Sequence, residues 1–68
     1  VSGYYYDIID ASNELVRWWP GDQASDEEAT AALDGVHLEV GEQVRVLRAA
    51  TGAVFAMKPY GGVMEVPA

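Results

Sequence analysis

One stretch of this chain reads as helix, and nearly everything on either side of it reads as strand. Ser25-Asp26-Glu27-Glu28 places a capping hydroxyl three residues ahead of a glutamate, the capping-box spacing. Asp26 and Glu27 add carboxylates to the first turn, where they complement the helix dipole. Ala29 to Leu33 forms the body, and Asp34-Gly35 ends it, with Gly35 at the position favoured just past a helix. The pattern predicts a helix over residues 25–34. A helix this short is marginal alone and must dock on something. Ala29, Ala32 and Leu33, at i, i+3, i+4 spacing, supply the docking face, and small alanines permit close approach to a sheet.

Before the helix, Tyr4 to Asp10 and Glu14 to Trp19 are runs of strand formers separated by Ala11-Ser12-Asn13. Three-residue hairpin loops often end in a left-handed residue, and Asn tolerates that conformation. This loop predicts pairing of Ile9 with Leu15, Ile8 with Val16, Asp7 with Arg17 and Tyr6 with Trp18. One face then carries Tyr4, Tyr6, Ile8, Val16 and Trp18 towards the core. The other carries Tyr5, Asp7, Ile9, Leu15, Arg17 and Trp19. Pro20-Gly21 stops the second strand.

After the helix the apolar period becomes two. Val36 to Val40, Val44 to Ala50 and Ala53 to Lys58 read as successive strands, with turns at Gly41-Glu42-Gln43 and Thr51-Gly52. Gly61-Gly62 signals a last hairpin. The implied registers set Glu39, Arg45, Lys58 and Glu65 side by side as a self-neutralising ladder, with Val46 opposite Met57 and Arg48 opposite Phe55. Pro59 and Pro67 put the last strands near an edge. The expected fold is α+β, mostly β: an N-terminal β-hairpin, one short helix and a C-terminal antiparallel meander, in a single small domain over residues 1–68.

Leu38 to Leu47, with its Gly41-Glu42 and alternating valines, followed by a glycine hairpin and Val66-Pro67, resembles the middle and end of an SH3-like barrel. That resemblance implies, as an alternative, a small closed β-barrel with an inserted helix, using aromatic side chains to grip an extended proline-rich peptide.

The formal charge of −7 lies entirely in the first half: residues 1–34 hold eight acids and Arg17 alone as a base, and residues 35–68 are neutral. Direct binding to nucleic acid and to anionic membranes is disfavoured, because both need a basic face. No apolar run reaches the roughly 18–20 residues of a spanning helix. The opening Val1-Ser2-Gly3-Tyr4 lacks the basic and apolar regions of a signal peptide. With no cysteine in the chain, thiol catalysis, thiolate metal sites and disulfides are all out of reach. A cytoplasmic location is the default expectation.

His37 has no second histidine or cysteine to share a metal with and sits on the polar phase of a strand. Asp22 to Asp26 lacks the alternating oxygen pattern and glycine of a calcium loop. No nucleophile has a histidine placed to activate it, and a chain this small hardly encloses a substrate pocket. Neither enzyme nor cofactor is expected. The leading expectation is an acidic protein-interaction module, a small inhibitor or modulator that binds a basic surface on a larger protein. Asp22, Asp26, Glu27 and Glu28 would supply charge, and Tyr5 and Trp19 the aromatic anchors. The alternative from a different class is a self-associating structural subunit of a homo-oligomer, completed through an exposed sheet face or edge.

Overall fold

The rest of the molecule is built around the first strand. The computed structural model describes residues 3–66, so the expected edge position of Pro67 lies outside the described residues. In chain order the elements are β1 (Tyr4–Ile9), β2 (Leu15–Gly21), α1 (Asp26–Ala31) continued by a 3-10 turn over Ala32–Gly35, β3 (Gln43–Arg48) and β4 (Val54–Pro59). They form one antiparallel sheet in the order β2-β1-β3-β4, with α1 on one face. The fold is α+β and mostly β: the N-terminal hairpin, the short helix, and β3 and β4 extended by an isolated bridge between Met57 and Glu65. The sheet is open. Among the described residues its outer strands β2 and β4 do not pair, which corrects the SH3-like barrel expected as an alternative.

The helix forms for the reasons the sequence carries. Ser25 is extended (φ −145°, ψ 164°), and its Oγ accepts from the Glu28 amide at 3.2 Å. Glu28 Oε2 reaches back to the amide of Ala24, one residue beyond the usual capping-box partner, at 3.0 Å. Ala29 and Leu33 are fully buried and Ala32 packs beside them. Gly35 does not enter the left-handed region expected of a helix-ending glycine, because the last turn tightens into 3-10 geometry.

The strand expected over Val36–Val40 does not form. β1 takes its place beside β3, from Tyr4 opposite Arg48 to Ile9 opposite Gln43. β1 offers apolar side chains on both phases, Tyr6 and Ile8 on one and Tyr5 and Ile9 on the other, and sets Asp7 opposite Arg45. Val36–Val40 is apolar on one phase only. It crosses the molecule as an irregular strap in which Leu38 joins the core and Val40 is 81% exposed. The expected charge ladder is lost with that strand. Arg45 pairs with Asp7, Lys58 stands opposite Val44, and Glu65 faces Met57. The β3–β4 register is also one residue from expectation, with Val46 opposite Ala56. Ala56 therefore lies in the core beneath the helix, and Phe55 is half-buried at the core margin.

The N-terminal hairpin turns as its loop predicts. Asn13 is left-handed (φ 62°), and the Asp10 carboxylate accepts from the amides of Ser12 and Glu14. Ile9 faces Leu15, but the register then slips by one residue, so that Ile8 faces Arg17, Asp7 faces Trp18 and Tyr6 faces Trp19. Val16 is the extra residue of a β-bulge. Because side chains alternate strictly along a strand, one inserted residue exchanges the faces of all that follow. Trp19 turns towards the helix and Trp18 away from it, the reverse of the expected assignment. Gly21 locks this arrangement: a Cβ there would run into the Tyr6 ring and lie 2.7 Å from Gln23 Oε1.

Candidate functional site

The sheet presents two unlike faces, and the residues expected to act together are divided between them. On the helix side, the Tyr6 ring stacks on Trp19 with centroids 5.6 Å apart and planes 13° from parallel. Its hydroxyl donates to Gln23 Oε1 at 2.6 Å, with the Ala29 carbonyl a longer acceptor at 3.2 Å. Burial pushes the Tyr6 phenol above its ordinary pKa. The Arg17 guanidinium lies 5.3 Å from the centre of the Trp19 ring. Trp19 is thus half-buried and already stacked within its own chain.

The four expected acids all lie in or just before the helix layer, and they are not equivalent. Asp26 is engaged: Arg48 holds it through Nη1 and Nη2, and the Tyr4 hydroxyl donates to it at 2.6 Å. The Arg48 hydrogen bonds, then that of Tyr4, lower the Asp26 pKa below the usual carboxylate range. The same contacts raise Tyr4 and Arg48 above theirs. Glu28 serves the helix start. Asp22 and Glu27 are exposed. A groove of about 580 Å³ runs between α1 and the segment after β4. Asp26, Glu27 and Asp34 line it on the acidic side, and Phe55, Met64 and Val66 on the apolar side. Phe55 is held there by Tyr4, 5.6 Å away, and by the Arg48 guanidinium, 4.7 Å from its ring centre. The sequence did not single out Asp34, Phe55 or Met64 for this groove. Bringing them together depends on a register that no local pattern encodes.

On the opposite face, β1 presents Tyr5, Asp7 and Ile9. Asp7, in the middle of the sheet, has Trp18 on one side and Arg45 on the other. Its carboxylate is nearly enclosed and accepts from Arg45 Nε at 2.7 Å and Nη2 at 2.6 Å. These bonds raise the Arg45 pKa above its ordinary value. Trp18 is 62% exposed and meets Tyr5 edge to face, with centroids 6.4 Å apart. Tyr5 thus keeps an aromatic partner, but that partner is Trp18 and not Trp19. Neither ring shares a face with the acids of the helix layer. An aspartate amid YYYDII was a legible sign of a buried charge needing a partner.

His37 lies in the exposed strap, 3.3 Å from Glu39. Among the described residues no three of His, Cys, Asp and Glu gather as a metal-binding group, and no helix is long and apolar enough to cross a membrane. The chain matches no known family model, no curated protein and no solved structure.

Proposed function

We propose that this chain is an acidic protein-interaction module that modulates a larger protein by covering a basic surface on it. The groove beside α1 carries the reading. Its apolar lining is Phe55, Met64 and Val66, and Glu27 and Asp34 add exposed carboxylates, while Asp26 is balanced by Arg48, which also lines the groove. A partner segment with alternating apolar and cationic side chains complements both parts. The one-sided charge of the chain adds long-range attraction that speeds encounter with such a surface. Asp22, exposed just before the helix, extends the same negative side.

The test uses affinity capture from the native host at low and high salt, followed by kinetics on the partner identified. A Glu27→Gln/Asp34→Asn variant should associate more slowly and with a flatter salt dependence, at an unchanged melting temperature. A partner that binds this variant at the parental rate and with the same salt dependence removes the proposal.

A further inference from the structure

We propose that the concavity on the open face of the sheet is a binding site for a methylated ammonium group. It occupies about 390 Å³ and is lined by Tyr5, Asp7, Leu15 and Trp18. This is within the lower range of sites that hold small ligands, roughly 300–1,000 Å³. Tyr5 and Trp18 meet at 75°, so their rings form two walls of a corner. The faces of aromatic rings carry negative electrostatic potential and attract a cation set against them. Asp7 also lines the site, but both of its oxygens accept from Arg45, so that pair is balanced and the ring faces supply the attraction. Arg45 clamps Asp7 from the β3 side and does not itself line the concavity.

The lining also selects among cations. It is mostly hydrocarbon and ring surface, with few acceptors beyond the Asp7 carboxylate and the Tyr5 hydroxyl. A primary ammonium brings three donors and a tightly held water shell, which this lining cannot replace. A trimethylammonium group spreads the same charge over apolar methyls, needs no acceptors and packs directly on Trp18, Tyr5 and Leu15. An anion finds no cationic side chain in the lining. The net charge of −7 favours a cationic ligand over an anionic or a neutral one. The ligand chemistry is the same whether the group is the head of a free small molecule or the end of a methylated lysine on a partner. The site lies on the face opposite the acidic groove and does not rest on the reading of that groove.

The test is an amide NMR titration with four probes: choline, the uncharged tert-butyl analogue of choline, trimethylated lysine with blocked termini, and the same lysine unmethylated. Choline and trimethyl-lysine should shift the β1 and β2 amides and the Trp18 indole saturably. The uncharged analogue should bind at least about tenfold more weakly, and unmethylated lysine more weakly than its methylated form. Tighter binding of trimethyl-lysine than of choline identifies a partner side chain as the source, and the reverse order a free small molecule. Trp18→Leu and, separately, Tyr5→Leu should abolish the shifts while leaving the Glu27→Gln/Asp34→Asn variant fully responsive. Equal binding of the charged and uncharged probes overturns the proposal by showing a merely apolar pocket. So does the absence of saturable shifts on β1 and β2, or shifts that survive in a folded Trp18→Leu variant.

Discussion

The two faces of the sheet take alternate residues from the same strands and use their aromatic side chains in opposite ways. On the helix side Tyr6 and Trp19 lie flat on one another over a floor of Val44, Val46 and Ala56, and the Tyr6 hydroxyl is satisfied within the chain. On the other side Tyr5 and Trp18 stand edge to face around a carboxylate, and the tryptophan is largely in solvent. The first arrangement spends its rings on packing. The second leaves ring surface unspent. Adjacent tyrosines and adjacent tryptophans thus do different work, and their place in the fold decides which, since residue type is identical.

The comparison breaks most visibly at Tyr6. Its side chain is 2% exposed, and Tyr6→Ala should cost about 3–5 kcal/mol, enough to unfold much of a domain this small at room temperature. Urea titration of Tyr6→Ala beside Tyr5→Ala measures the contrast, and the Tyr5 variant should stay within about 1 kcal/mol of the parent.

The next effect belongs to the open face itself. Asp7→Asn keeps the shape but leaves Arg45 without its anion. Because the Arg45 side chain is 27% exposed, water recovers part of the loss, and about 2–3 kcal/mol is expected. A double variant that also carries Arg45→Met should recover much of that loss in the same denaturation measurement.

Replacing each tryptophan by alanine sharpens the comparison further. Trp19→Ala removes the stack on Tyr6 and should lower stability by about 2–3 kcal/mol. Trp18→Ala should change it by no more than about 0.5 kcal/mol. Equal losses in thermal melts would show that the bulge at Val16 does not assign the faces as described.

The smallest effect is electrostatic and confined to the helix side. Arg48 and Tyr4 hold the folded Asp26 pKa below its unfolded value, so the pair stabilises the fold above the unfolded pKa. That contribution fades as pH falls through the lowered folded value. The urea midpoint of the parent should exceed that of Asp26→Asn at pH about 6, and the gap should close below pH about 4. The exposure of both partners keeps the gap small.

The legible parts of this molecule are those fixed by neighbours in sequence. Ser25 and Glu28 mark the helix start, Ala29 and Leu33 mark its buried stripe, and Asn13 marks the hairpin turn; each depends on a spacing of a few residues. The pairing of β1 with β3 joins residues far apart along the chain, and the sequence offered a nearer candidate in Val36–Val40. That candidate is consistent with its neighbour in charge and period. It loses to a strand that buries Tyr6 and Ile8 against the helix side and brings Asp7 to Arg45, a condition on the whole sheet. The candidate site was legible only to the same degree. The acids could be placed in the helix layer from local signals, but a single bulge moved Trp18 to the place beside Tyr5 where Trp19 was expected.

That bulge has a further effect at the rim of the sheet. β2 is an outer strand, and such strands can recruit foreign strands and seed fibrils. Val16 disrupts the regular backbone near one end of β2, and Pro20 has no amide to donate near the other. Between them only Arg17, Trp18 and Trp19 keep a regular rim, and Arg17 carries charge. The irregularity that turns an indole out to solvent therefore also blunts the strand on which that indole sits. The molecule can display a large apolar side chain at its border without offering a long, flat template for aggregation.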